Sequence, residues 1–309
     1  MSALLVVEIR RILSRRAVFA AAALVLLGML IAGSVLFVRS HRQDPAALQA
    51  QQQQVEANRR QAVAECASGR FGIPKEEVPT GMTLKQYCEQ VVVGTPETED
   101  PAFQLVHYRD VAENLSGLFI AIVMILAASF IGAEWHAGTV TTQLTWEPRR
   151  NRVLAAKAIA VALFAFAFFV LAQVLLFGVL APSALFRGTT EGANLTWLQG
   201  VAGIIVRGAF GAALASGIAF AFASIARNTA AAVGAVFVYA AILEPLMRAA
   251  RPKWQRWYLH DNLATFISGH RLDFTTYGRS VIGAAVLVSL YTLALLLLAM
   301  AVFRRRDVT

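Results

Sequence analysis

The chain has 309 residues, of which 57% are hydrophobic and 15% charged, whereas typical soluble domains are about 25% charged. A soluble protein of this composition would expose large apolar patches, which excludes a soluble enzyme, a disordered protein and a nucleic-acid-binding domain. The net charge of +9 comes from 24 Arg and four Lys against 19 acidic residues, and it therefore indicates the cytoplasmic flanks of membrane helices rather than a nucleic-acid partner.

Residues 1–16 predict an amphipathic helix on the cytoplasmic membrane surface. Its apolar positions fall on one helical face: Leu5, Ile9, Ile12 and Leu13. Its charged positions fall on another: Glu8, Arg11 and Arg15. The alternative is that these residues are only the basic flank of the first membrane span.

Six apolar runs are long enough to cross a bilayer, which takes about 17–25 residues. They are 17–38, 114–133, 158–181, 201–225, 230–246 and 280–303. The first run is longer than the apolar region of a signal peptide, so we interpret it as a span. The fifth run is short, and Pro245 is expected to bend it near its exit. The chain is thus predicted to be an all-α polytopic membrane protein, with a transmembrane domain over 17–309.

The orientation follows from the density of basic residues in the connecting segments. Segments 1–16, 134–157, 226–229 and 304–309 hold 12 Arg and Lys in 50 residues, whereas the other three hold 15 in 127. Positive residues favour the inner side, so both termini are predicted to be cytoplasmic in a multi-pass protein of the cell membrane. The six basic residues in 247–279 are an exception to this rule, because that segment is predicted to lie on the outer side.

The long connection 39–113 predicts a small helical cap outside the membrane. Asp44 and Pro45 are typical of a helix start, and Thr83 with Gln86 matches a capping box at the start of a second helix. Cys66 and Cys88 both lie in this connection, which is predicted to be on the side that can be oxidising. A disulfide between them would close a loop of about 22 residues and stabilise it by roughly 3 kcal/mol. Two free thiols are the alternative, and no His stands at a spacing that suits a metal site.

Sequence motifs for chemistry are missing from the chain. None of the four Lys follows a Gly, so no Walker A motif exists, and neither a His-Glu-x-x-His nor a Gly-x-Ser-x-Gly motif is present. The chain is therefore expected not to be an enzyme and to bind no cofactor or metal of its own.

Ionisable residues in the spans are few, and two of them are weak candidates for a translocation path. Arg207 lies seven residues into the fourth run, and Glu244 lies close to the end of the fifth. Charged groups inside a membrane often mark substrate paths. For Arg207, the alternative is that its side chain extends to the outer interface.

The segment 134–157 carries the most specific pattern. An acidic residue, Glu134, is followed four residues later by Gly138 and Thr139, then by Pro148-Arg149-Arg150 and by Lys157 at the next span. This pattern, together with the arrangement of the spans, resembles the permease subunits of type-2 ABC exporters. The alternative is an ordinary basic loop.

The resemblance implies an ATPase-coupling interface in the segment 134–157. Its residues would be Glu134, Gly138, Thr139, Pro148, Arg149 and Arg150. It also implies two separate cytoplasmic ATPase subunits, which would carry ATP and Mg, and a second copy of this permease or a similar one.

The segment 247–279 is expected to form an interfacial structure outside the membrane, as family members do before their last helix. Trp254, Trp257 and Tyr258 are predicted to lie on one face and to anchor it in the lipid interface. Membrane lipid is therefore an expected partner of this segment.

The sequence thus favours a permease subunit that moves a substrate, in the export direction, with energy from partner ATPases. The alternatives are a self-contained channel or secondary transporter, and a membrane sensor or assembly protein that acts through its cap. The identity of the substrate is not predicted.

Overall fold

The computed structural model describes residues 2–42, 45–68, 83–91, 102–270 and 278–305. Over these ranges the chain contains no β-strand, and six helical segments are long and apolar enough to cross a membrane. They are Arg16–Arg39, Leu105–His136, Arg150–Arg187, Leu195–Ala226, Thr229–Ala250 and Val281–Arg305. The predicted all-α polytopic fold is confirmed.

Twelve α-helices are present in the described part of the chain. They are α1 Ser2–Leu13, α2 Arg16–Arg39, α3 Pro45–Ala67, α4 Leu84–Val91, α5 Tyr108–His136, α6 Thr139–Trp146, α7 Arg150–Pro182, α8 Leu195–Ala226, α9 Thr229–Val238, α10 Glu244–Ala250, α11 Leu259–Ser268 and α12 Val281–Arg305. The end of the bundle that holds α1, α6 and the last turn of α12 is called the N-terminal face. The opposite end, with α3, α4, α10 and α11, is called the cap face.

The second span begins at Leu105 and not at the predicted residue 114. A 3-10 turn at Leu105–His107 leads directly into α5, which continues through Arg109, Asp110 and Glu113. The hydropathy of the sequence could not show that the helix begins this early, because the part of a helix that extends beyond the apolar layer carries polar residues. The segment predicted as 39–113 is therefore shorter at its C-terminal end.

Two membrane helices change to π geometry beside a proline. The π segment Ser183–Arg187 follows Pro182, and the π segment Tyr239–Leu243 comes just before Glu244 and Pro245. Proline lacks an N–H group and its ring collides with the carbonyl four residues earlier, so Pro245 interrupts the regular hydrogen-bond ladder at residue 241, inside the second π segment. Pro182 comes before its π segment, and this reason does not apply to it. The expected disturbance near Pro245 is thus present as a wider turn between α9 and α10.

The core is built around α8, which packs against α5, α7 and α12. Small residues allow these close approaches. A Cβ atom at Gly217 would lie 2.8 Å from Thr292 Cγ2, and one at Gly208 would overlap the ring of Phe169. The glycines of the fourth span thus serve helix packing.

The cap contains the two cysteines. A disulfide joins Cys66 of α3 to Cys88 of α4, with 5.9 Å between the two Cα atoms. The predicted capping box is confirmed: Thr83 N donates to Gln86 Oε1 at 3.0 Å, and Gln86 N donates to Thr83 Oγ1 at 3.3 Å. The predicted helix start at Asp44 lies outside the described residues, and α3 begins at Pro45.

Gly132 sets the contact between the end of α5 and the start of α9. A Cβ atom there would lie 2.7 Å from Thr229 N and 2.9 Å from Thr229 Cα, whereas at Gly117 on the same helix it would meet nothing within 4 Å. Gly132→Ala is therefore expected to destabilise the protein by about 1–3 kcal/mol. Gly117→Ala, the matched control, should be neutral or stabilising by up to about 1 kcal/mol, since alanine favours helix. Thermal unfolding of both purified variants in detergent would measure this, and equal midpoints would contradict it.

Candidate functional site

Three charged side chains from three helices meet in a buried cluster at the N-terminal face. Lys157 Nζ of α7 lies 2.9 Å from Glu8 Oε2 of α1 and 2.6 Å from Glu134 Oε2 of α5. All three residues are at least 95% buried. A buried ammonium is costly unless it is paired, so the contacts of Lys157 with the two carboxylates tie α1 to α5 and α7.

A second set of groups surrounds this cluster. Gln143 Nε2 of α6 donates to Glu8 Oε1 at 2.8 Å, and Arg15 Nη2 lies 3.4 Å from Glu134 Oε1. The pKa of the Arg15 guanidinium is lowered by burial, and the Glu134 and Glu8 carboxylates offset only part of this effect. Arginine nevertheless remains charged. The Arg15 guanidinium also stacks over the ring of Phe130, at 4.7 Å from its centroid. The cluster thus joins α1, α5, α6 and α7 into one unit.

The structure corrects the predicted position of Glu8 on a solvated face of the first helix. Glu8 is completely buried, whereas Leu13, predicted on the apolar face, is 51% exposed. The reason is Lys157, which approaches from α7 and compensates the carboxylate. Helix α1 therefore packs against α7 through its acidic position as well as through Ile12, which is buried in the core.

The six residues predicted for ATPase coupling have different environments. Gly138 takes the left-handed conformation, with φ of 67°, which favours glycine and lets the chain turn from α5 into α6. Thr139 Oγ1 donates to the Glu134 carbonyl at 3.3 Å, and Arg150 Nη1 donates to the Phe303 carbonyl at 3.4 Å. Pro148 and Arg149 are exposed. Glu134 faces Lys157 inside the protein, so its side chain supports this segment and offers no surface to a partner.

The exposed surface of this segment centres on Trp146, which the sequence analysis did not single out. Its side chain, at the end of α6, is 87% exposed. Arg149 follows it, and Arg152 pairs with Glu147 across 3.8 Å. An isolated, fully exposed tryptophan beside basic residues is typical of a protein contact. The sequence signal that could have indicated this surface is a tryptophan two residues before a proline, Trp146 and Pro148.

Arg207 and Glu244 clamp the two ends of α11. Both Glu244 carboxylate oxygens accept from the backbone N–H of His260, at 3.0 and 3.1 Å, in the first turn of α11. Arg207 Nε and Nη2 donate to the carbonyls of Ile267 and Ser268, at 3.0 and 3.1 Å, in its last turn. A negative charge at the N-terminus of a helix and a positive charge at its C-terminus both interact favourably with the helix dipole.

Two glycines make room for the Arg207 side chain. A Cβ atom at Gly203 would lie 2.9 Å from Arg207 Nη1, and one at Gly269 would overlap the guanidinium. Gly269 also has φ of 77°, at the C-cap of α11. The Arg207 side chain therefore lies over Gly203 on its own helix and reaches the carbonyls at the end of α11.

A cavity of about 550 Å³ lies between α5, α9 and α11. Its polar lining is near the cap face, at Glu113, Glu244 and Ser268, and its deeper end is lined by Ala128 and Ala232. From residue 113 to 128 the helical rise is about 22 Å, most of the hydrocarbon thickness of a bilayer. Glu244 thus lines a long, mainly apolar cavity, whereas Arg207 is not part of its lining.

Residues 85–309, nearly three-quarters of the chain, match the family DUF2705, described as "protein of unknown function". The chain belongs to the DUF2705 family. The DUF2705 match includes Glu134, Lys157 and the α11 clamp, and it leaves out Glu8 and Cys66. No curated protein and no solved structure matches the chain.

The aromatic segment of this DUF2705 chain differs from its predicted arrangement. Trp254 and Trp257 are 54% and 52% exposed, but Tyr258 is buried and its Oη donates to the Arg251 carbonyl at 3.0 Å. The segment Pro252–Trp257 is a 3-10 helix, with three residues per turn, so residues 254 and 257 share a face and 258 turns inward. Of the three residues predicted to form an anchor, the two tryptophans are therefore exposed on one face, and Tyr258 is not part of that face.

Proposed function

We propose that the chain is the permease subunit of an ABC transporter, which moves a substrate out across the cell membrane with energy from ATP hydrolysed on separate subunits. The observation that carries this proposal is the short helix α6, which is tied to α1 and α7 through Gln143, Glu8 and Lys157 and presents Trp146 to solvent. In this proposal the N-terminal face is cytoplasmic, as the density of basic residues favours.

The geometry supports a coupling role for α6. A partner that pushed on Trp146 would move α6, and the buried cluster would pass that movement to α1 and α7, because packed elements joined by charged contacts shift together. Two such permeases, each with its own ATPase, would form the working transporter. ATP and Mg belong to the ATPases.

The cavity suggests the kind of substrate. Its wall is apolar over most of its length and polar at the cap-face end, which suits an amphipathic molecule with one polar end. The substrate in this proposal enters between α5 and α9 and leaves at the cap face.

The proposal predicts that Trp146→Ala combined with Arg149→Glu weakens ATPase binding at least tenfold, because an exposed tryptophan and a basic rim are typical binding hot spots. Co-purification of the tagged chain from its own membranes, with mass spectrometry of stoichiometric partners, would measure the loss. The matched control is Trp254→Ala with Arg256→Glu, which makes the same change at the cap face and should leave the ATPase bound.

Other outcomes would favour the alternatives. A chain that purifies without any nucleotide-binding partner after mild cross-linking, and that gives flux alone in vesicles, would be a self-contained channel or secondary transporter. Removal of residues 45–91 that abolished signalling and left flux unchanged would indicate a sensor that acts through the cap.

A further inference from the structure

The segment Pro252–Trp257 at the cap face is a fixed platform with one basic, aromatic side. Gln255 and Tyr258 are buried beneath it. The Arg256 carbonyl accepts from Asn262 Nδ2 at 3.2 Å and from Arg279 Nε at 2.9 Å, which hold the segment against α11 and the start of α12. The outward side is therefore preorganised before any ligand binds.

The platform packs against the side of α12, a candidate membrane span, and we place it at the outer boundary of the membrane. Tyr291 Oη donates to the Trp257 carbonyl at 3.1 Å. Trp254 and Trp257 are half-exposed there, and tryptophan is enriched at the boundary between headgroups and hydrocarbon.

The charge on the platform is uncompensated. Arg251, Lys253 and Arg256 are exposed, and within the described ranges none of the three forms a salt bridge. The stretch 245–258 contains no Asp or Glu. Arg279 adds a fourth cation, stacked over Trp257 at 4.6 Å from its ring centroid. These cations at a membrane boundary need an anionic partner that is itself at the boundary.

We infer that the platform of Arg251, Lys253, Arg256, Trp254 and Trp257 binds the headgroup of an anionic phospholipid. Arg and Lys donate charge-assisted hydrogen bonds to phosphate oxygens, and the indole rings lie among the glycerol and upper acyl positions. This site explains why basic residues are dense in 247–279 although the sequence places that segment outside the membrane. It does not depend on the proposed transport function.

The test uses the full chain in phosphatidylcholine vesicles with spin-labelled phosphatidylglycerol or spin-labelled phosphatidylcholine as the probe. Near a membrane each basic residue contributes about 1 kcal/mol, so three correspond to a preference for phosphatidylglycerol on the order of tenfold to a hundredfold. Salt should reduce this preference. The variant with Arg251→Gln, Lys253→Gln and Arg256→Gln is expected to lose most of it.

Two variants separate charge from structure. Arg251→Lys with Arg256→Lys keeps the charge and should retain the preference for phosphatidylglycerol. The control variant with Arg10→Gln, Arg16→Gln and Arg149→Gln removes three cations at the N-terminal face. It should lose much less of the preference for phosphatidylglycerol than the platform variant does. Equal association of the two probes with the unmodified chain, or an undiminished preference in the platform variant, would overturn the inference.

Discussion

Lys157→Met is expected to lower the free energy of unfolding by about 3–5 kcal/mol, the loss typical when one partner of a buried ion pair is removed. Methionine nearly fills the same volume but leaves the Glu8 and Glu134 carboxylates, which are 2.9 and 2.6 Å from Nζ, buried without their main cation. Arg11 stays 3.4 Å from Glu8 and Arg15 stays 3.4 Å from Glu134, but both contacts are longer and more exposed than those of Lys157. The midpoint of thermal unfolding of the purified chain in detergent would measure the change.

Two controls make this prediction specific to the cluster. Lys253→Met, the same substitution at an exposed lysine, should change stability by no more than about 0.5 kcal/mol. Lys157→Met together with Glu8→Gln and Glu134→Gln removes all three charges and should recover most of the loss, because the cost of the single variant is two buried carboxylates that have lost their buried cation. A Lys157→Met variant as stable as the parent chain would contradict the buried cluster.

The same triple variant separates the structural role of the cluster from its role in coupling. If the proposed ATPase binds at Trp146 and the cluster transmits movement from α6, a stable triple variant should still bind that ATPase yet show poor activity in the proposed transport. Full transport by that variant would mean that the cluster only fixes α1.

The six spans could be predicted because the length and hydropathy of an apolar run are local properties of the sequence. The capping box at Thr83 and Gln86 is local in the same way, since both partners lie within one helical turn. The ends of the spans could not be placed as well. The first turns of α5 carry polar residues that hydropathy assigns to a loop, although the helix continues through them.

The buried cluster could be predicted only in part. Glu134 and Lys157 are 23 positions apart, with the short helix α6 between them, and the resemblance to exporter permeases places both in the predicted coupling region. Glu8 is 149 residues from its partner Lys157, and a charged position on an amphipathic helix has the same pattern whether it faces water or a buried cation. Nothing in the sequence of the first 16 residues distinguishes these two cases.

The roles of Arg207 and Glu244 were harder still to predict. An ionisable group in an apolar run indicates that a polar partner exists, and here the partners are backbone groups of α11. Every residue other than proline carries the same backbone N–H and carbonyl, so the sequence has no signal for which of them will be bound. That choice depends on where α11 packs against α8.

Arg207→Leu is expected to release the C-terminal end of α11. The substitution removes two charge-assisted hydrogen bonds, to the carbonyls of Ile267 and Ser268, each of which contributes about 1.5–3 kcal/mol. Because Arg207 is only partly buried, we expect a net loss of about 2–3 kcal/mol. This should accelerate amide hydrogen exchange in α11 by on the order of a hundredfold.

Arg109→Leu is the matched control, because it removes the same charge near the same end of the bundle. Arg109 makes a half-exposed ion pair with Glu113 at 3.4 Å, which is worth at most about 1 kcal/mol, so exchange in α11 should change little. Glu244→Gln keeps a carbonyl oxygen that can accept from His260 N, and its effect should be smaller than that of Arg207→Leu. If Arg207→Leu left exchange in α11 unchanged but abolished transport, the guanidinium would act on the substrate path, and the clamp would be the wrong explanation.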